Sequence, residues 1–252
     1  MAEDMTIDSY LAAGGMLTNP TNVPARYRAE LMKLMATFVD SELAGAAGFA
    51  EIINQGPGIK ERIAAAKIVL EKTDNADRVL RIMGEFGADT QRYATHHPWT
   101  ARLERDADIG AARTERDMRL AVFNYPIEGW ADAVMMNLLM ARAVVVQLAD
   151  FTMISYQPLA EAFRAIAPIE TRHGELALEG AAKLVEDGEV EALQASAAYW
   201  WPRVAASFGT GSAGRTEALR AMGLRRTGNA EMRTRWEAEA ANLLDSLGLK
   251  RP

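Results

Sequence analysis

The sequence predicts an all-α protein, and three observations carry that reading. Apolar residues recur at three- and four-residue steps over four long stretches. No run of alternating polar and apolar residues is long enough for a sheet. Most of the nine prolines fall between the helical patterns rather than inside them. With 252 residues and 49% hydrophobic composition, the chain can bury a substantial core.

Residues 1–23 contain Gly, Asn and Thr with a proline and read as an extended arm, suited to lying on a partner. Residues 24–252 read as one helical domain. Pro24 stands where a helix can begin. The first long helix is expected over about 25–54, with Leu31, Met35, Phe38, Glu42, Gly45, Phe49 and Ile52 on its buried stripe. Glu42 is the one ionisable member of that stripe. It is either an ion-paired acid at the edge or a metal-binding carboxylate. The run Gln55-Gly56-Pro57-Gly58 ends this helix.

A second helix is expected over about 59–86, with Ile68, Glu71, Asn75, Val79, Ile82 and Phe86 on one face. Asp74 lies three residues after Glu71, so the two acids are neighbours. Asp74 is either a second ligand or part of a solvated face. Residues 87–126 are less regular, and the adjacent His96 and His97 point in different directions, which suits a surface role. A third helix spans about 128–153. Its stripe has Asn137 as the buried polar candidate and no acid at its centre, and Arg142 is placed to pair with an acid of another helix.

The fourth helix, about 158–186, carries the stretch Ile169-Glu170-Thr171-Arg172-His173. Glu170 and His173 share a face with Phe163, Ile166, Ala177, Ala181 and Leu184. A carboxylate and an imidazole on an apolar face need partners. At i and i+3 they point the same way and can grip one metal ion. Pro168 just before them removes one backbone bond and is expected to bend the helix. Beyond it, the pattern predicts two or three further helices, an aromatic plug at Tyr199-Trp200-Trp201-Pro202, and a closing helix over 229–247. Phe208-Gly209-Thr210-Gly211-Ser212 is a loop without the Gly-Lys-Ser/Thr of a phosphate loop.

Composition bounds the function. Cysteine is absent, so disulfides, iron–sulfur clusters and thiol catalysis are excluded, and a reducing cytoplasm is the expected setting. No charged-then-apolar leader opens the chain and no apolar run is expected to reach membrane-spanning length. A formal charge of −6 without a basic stripe argues against nucleic acid as a partner. Three histidines limit any nitrogen-rich metal site, so carboxylates would dominate it.

Several short stretches, in order, resemble the phenylacetic-acid catabolic family of ferritin-like proteins over roughly residues 25–249. They are Ser41-Glu42-Leu43, the segment from Ala66-Lys67 to Glu71, and Phe123-Asn124-Tyr125-Pro126 followed by Trp130-Ala131-Asp132. Then come Ser155-Tyr156 with Pro158, Glu170-x-x-His173, Trp200-Trp201-Pro202, and Asn229-Ala230-Glu231-Met232-Arg233 through Leu249. The resemblance implies a ferritin-like antiparallel four-helix bundle with additional C-terminal helices. In its catalytic members two irons are held by a carboxylate on the first and third helices and Glu-x-x-His on the second and fourth.

On that pattern Glu42, Glu71, Glu170 and His173 match, as catalytic and metal-binding positions. Asp74 stands at the second-helix histidine position as a further expected metal ligand, and Ala141 stands where the third helix should supply an acid. The expected cofactor is a pair of irons, with one ion or manganese as the variant that a harder, smaller donor set would favour. The expected function is a di-iron monooxygenase of aromatic catabolism. It would insert oxygen into an aromatic or acyl-CoA substrate, with Glu71 or Glu170 bridging the metals. A separate reductase would supply electrons, and homo- or hetero-oligomers with ferritin-like chains are expected. Two alternatives stand beside it. One is a non-catalytic partner subunit whose acids form a buried network with Arg142 or Lys67. The other is a one-metal or manganese enzyme of altered chemistry.

Overall fold

In the computed structural model, residues 6–96, 98–113 and 118–252 are described. Among them the chain is helical, with one isolated β-bridge and no strand. The helices are α1 (Ile7–Ala12), α2 (Ala25–Ile52), α3 (Ile59–Glu85), α4 (Thr90–His96), α5 (Trp130–Phe151), α6 (Gln157–Glu186), α7 (Val190–Ala206), α8 (Ala213–Ala221) and α9 (Asn229–Ser246).

Four of them, α2, α3, α5 and α6, form the bundle. Each of the pairs α2–α3 and α5–α6 is an antiparallel hairpin, and α3–α6 and α2–α5 contacts close the core. The first hairpin turns at a 3₁₀ segment, Ile53–Gln55, followed by Gly56-Pro57-Gly58. There the prolyl ring and two glycines prevent the helix from continuing. The second turns over Thr152–Tyr156. Before α5, Gly129 takes a φ of 99°, a left-handed conformation that suits glycine and redirects the chain into the helix.

Helix α5 is the centre of the molecule. α6, α7 and α9 all pack on it. By length and composition it is apolar enough to cross a membrane, contrary to the expectation that no run reaches that length. Its apolarity has a local cause: most of its residues are buried against neighbouring helices. Trp200 of α7 and Trp236 of α9 are both fully buried against it, and the Trp236 indole donates to the Leu139 carbonyl at 3.0 Å. The aromatic plug foreseen at 199–202 is therefore part of a second core layer around α5.

The expectation for the arm changes. Residues 6–23 are not extended throughout: they contain α1 and lie on the chain's own body. Leu11 and Leu17 are buried, and Leu17 exchanges backbone hydrogen bonds with Ser155 (2.7 Å) and Gln157 (2.9 Å). Helix α6 is assigned continuously over Gln157–Glu186 with Pro168 inside it. The proline sits on the exposed side, where the carbonyl it deprives of a partner can turn to water. Asp150, which had no expected role, is buried and accepts the backbone N–H groups of Arg226 (2.9 Å) and Thr227 (3.0 Å), fixing the approach to α9. The side chain of His96 and all of His97 lie outside the described residues, so their surface role stays an expectation.

Candidate functional site

Midway along the bundle, α2, α3 and α6 bring a small set of polar side chains together. Glu42 comes from α2, Lys72 and Asn75 from α3, and Glu170 and His173 from α6; all five are buried, Glu170 and His173 completely. Lys72 is at the centre. Its Nζ donates to Glu42 Oε1 at 3.1 Å and to both oxygens of Glu170 at 3.2 Å. The Asn75 amide donates to Glu170 Oε1 at 3.1 Å and to Glu42 Oε2 at 3.4 Å. One ammonium and one amide thus tie the first and fourth helices together through the second.

Glu71 lies at the rim, with its side chain 24% exposed. It reaches His173 Nε2 at 2.9 Å and pairs with the surface Lys67 at 3.6 Å. A carboxylate only accepts, so Nε2 carries the proton in this contact. His173 Nδ1 is 3.4 Å from Glu170 Oε1, an ion-pair distance longer than an ordinary hydrogen bond.

The structure therefore brings Glu42, Glu170 and His173 together, with Glu71 at the edge, and leaves Asp74 out. Asp74 is exposed on the far side of α3. The stripe expected for α3 is buried at Ile68, Asn75, Val79, Ile82 and Phe86, and differs at one position. Ile68 and Asn75, seven apart, both face inward, and the inward residue between them is Lys72 rather than Glu71. The i, i+3 pair on α3 is Lys72 with Asn75, opposite Glu170 with His173. Of the other suggested cations, Lys67 reaches only Glu71 at the rim and Arg142 stays outside the network. Lys67 is half exposed, and Arg142 pairs with Glu239 of α9 at 2.5 Å.

The third bundle helix supplies no oxygen ligand here. Ala141 is buried against Gly174, where a Cβ on the glycine would lie 3.4 Å from the alanine methyl. Asn137 turns its amide to the His173 carbonyl at 3.3 Å.

The electrostatics follow from burial. For Glu42, loss of water and the charge of Glu170 raise the carboxyl to about 8, against the pull of Lys72. For Glu170, burial also opposes ionisation, but Lys72 and then His173 outweigh it and hold the carboxyl down at about 2. Lys72 loses water as well, yet Glu170 and Glu42 hold it above its ordinary value, so it stays an ammonium. The pair of acids shares one charge, and the ammonium neutralises it.

This gives a pH dependence with a definite sign. Glu42 holds a proton in the folded chain that it releases on unfolding, so its contribution falls as pH rises from about 4.5 through 8. Glu170 acts oppositely, losing its contribution as pH falls from about 4.5 toward 2. In Glu42→Gln, whose amide stands in for the neutral acid, the decline in unfolding free energy between pH 5 and 8 is expected to flatten relative to wild type. Urea titrations at several pH values would read this, and parallel profiles for the two proteins would refute it.

A two-metal bundle site requires four carboxylates and two histidines around the ions. The inward positions here supply two buried carboxylates, a rim carboxylate, one histidine already bonded to that rim acid, an amide and an ammonium. A cation at the centre of the acids repels a second cation, and the α5 position carries a methyl group. This side-chain set does not fit a pair of irons.

The sequence matches the family model described as "Phenylacetic acid catabolic protein" over residues 5–252. It is 23% identical over 236 residues to one of the subunits of the 1,2-phenylacetyl-CoA epoxidase of Escherichia coli (strain K12), covering 91% of this chain and 71% of that protein. With a ferritin-like helical core and a family match over nearly its whole length, the chain belongs to the phenylacetic acid catabolic protein family.

Proposed function

We propose that this chain is a non-catalytic, ferritin-like partner subunit of an epoxidase-type complex that acts on a CoA-linked aromatic acid. The observation that carries the reading is the Lys72 ammonium, bonded to Glu42 and Glu170 where a metal-binding member would need its ions. The related Escherichia coli protein is itself one subunit of an epoxidase, which supports a role inside an assembly. In this reading Lys72 keeps α2, α3 and α6 at the spacing of a metal-loaded bundle without a metal's chemistry. Buried ion networks of this kind can fix a specific arrangement while adding little net stability.

A surface feature supports the partner role. Ile59, Ile63, Ala66 and Leu70 form an exposed row along α3 at helical spacing, and the three large residues are 78%, 62% and 61% accessible. Apolar rows of this size on an outward face suit burial against another chain. The second member is taken to be a family protein that keeps the complete carboxylate and histidine set.

Co-expression with such a family member from the same organism tests the proposal. The two chains are expected to co-elute in size-exclusion chromatography, and Ile63→Asp/Leu70→Asp is expected to separate them. If the chain alone consumes oxygen with phenylacetyl-CoA, a reductase and reductant, the proposal falls, and the di-iron oxygenase reading with Glu42, Glu71, Asp74, Glu170 and His173 as ligands returns.

A further inference from the structure

A cavity of about 400 Å³ runs between α2 and α5 and is closed by the 207–211 loop and α8. α2 lines it from Glu30 to Glu42, about 18 Å at 1.5 Å per residue, and α5 from Met140 to Phe151. It is therefore long as well as large enough for a small organic molecule. Its middle is apolar, with Leu34, Phe38, Val144, Leu148 and Phe208 among its walls.

The two ends differ. The inner end reaches Glu42, which is already bonded to Lys72. The outer end carries Lys33, Arg113 and Arg215. One carboxylate serves two of these cations: Glu30 pairs with Lys33 at 3.2 Å and with Arg215 at 2.8 Å. Arg113 donates to the neutral Thr37 hydroxyl at 2.9 Å, while the buried Asp40 attracts it from behind. Burial and then the charge of Arg215 both disfavour the Arg113 cation, so the two guanidinium groups repel one another across the mouth. Two carboxylates, Glu30 and Asp40, act on these three cations, which leaves one positive charge for an anion to neutralise.

A second, independent observation lies in the wall. Ser207 is 8% exposed and lines the cavity, and its hydroxyl has no hydrogen-bond partner among the described residues. Buried polar atoms in native proteins are nearly always bonded, so this hydroxyl is available to the polar end of a bound molecule.

We infer that this cavity binds an elongated apolar molecule carrying a negative charge at one end, its anionic group held by Lys33, Arg113 and Arg215 and its body between α2 and α5. A free carboxylic acid has that chemistry, with its carboxylate at the end of the apolar body, whereas the acyl chain of a thioester ends in an uncharged group. The inference goes beyond the partner-subunit reading and does not depend on it, because neither the metal content nor co-elution with another chain enters it.

Isothermal titration calorimetry on the full chain, with decanoate, decanol and decanoyl-CoA below their micellar concentrations, tests it. Decanoate is expected to bind at one per chain, at least tenfold tighter than decanol. Binding of decanoyl-CoA tighter than that of decanoate would overturn the assignment to a free acid. Arg113→Met/Arg215→Met is expected to weaken the charged ligand at least tenfold and leave decanol unchanged. Both arginines are at the surface, so folding should survive, and circular dichroism checks it. Leu34→Trp, which fills the cavity, is expected to abolish binding of every probe. Equal affinity for decanol, binding untouched by these variants, or no binding of any probe would overturn the inference.

Discussion

Lys72→Met is expected to lower the free energy of unfolding by about 3–5 kcal/mol, the usual cost of removing one partner of a buried ion pair. Lys72 is 6% exposed and its ammonium is the cation between Glu42 and Glu170. Methionine matches the length of the stem but leaves the one negative charge that Glu42 and Glu170 share without its counter-ion, with only the Asn75 amide and His173 nearby. For a chain of this size the loss corresponds to a fall in Tm of about 10 °C. The same reasoning gives a rescue. Adding Glu42→Gln replaces the acid beside Glu170 with an amide that can donate to its carboxylate, so the double variant should recover part of the loss. Thermal unfolding of the wild type, the two single variants and the double variant at pH 7 measures it. Additive losses would mean that Lys72 and Glu42 do not interact as the geometry implies.

Asp132→Ala should cost about 2–4 kcal/mol, for a different reason. Asp132 lies in the first turn of α5 and is 2% exposed. It accepts both Arg105 Nη groups (2.9 and 3.1 Å), the backbone N–H of Glu128 (2.9 Å) and the Trp200 indole (2.8 Å). One carboxylate therefore joins the loop before α5, the helix itself and α7, and it stands at a helix N-terminus, where negative charge is favoured. Alanine leaves a fully buried indole N–H without its acceptor. Asp132→Asn retains the shape and one acceptor and should lose about half as much. Urea denaturation of both variants would check the order. An alanine variant as stable as the asparagine variant would show that packing, not hydrogen bonding, holds this corner.

Much of the fold was legible. The four long apolar stripes gave the bundle helices to within two residues at most ends, because burial on one face of a helix writes a 3.6-residue period into the sequence. Helix α8 and the arm's own helix were not individually foreseen. α8 contains no buried residue and so carries no stripe to read. The inward set of α6 was also legible, since Glu170 and His173 stand out on an otherwise apolar face.

The α3 half of the site was misread by one position. Between Ile68 and Asn75 both Glu71 and Lys72 fit a helical period, one at three residues and the other at four. A lysine is seldom buried unless paired, and its partners, Glu42 and Glu170, come from other helices 30 and 98 positions away. No local pattern reveals such pairing. Asn75 already sat on the stripe and was the available signal: counting three residues back from it leads to Lys72.

The cavity was equally hidden. Its mouth joins Lys33, Arg113 and Arg215, which are far apart in sequence and each ordinary alone.

Iron per chain, measured by elemental mass spectrometry on protein produced with iron in excess, tests the central claim most directly. If Lys72 holds the place between Glu42 and Glu170, the wild type should carry only substoichiometric iron. The variant K72E/N75H/A141E, which restores the missing carboxylates and histidine, should gain iron. About two irons per chain in the wild type, the complement of a complete bundle site, would contradict the account and return the chain to the metal-binding members of its family.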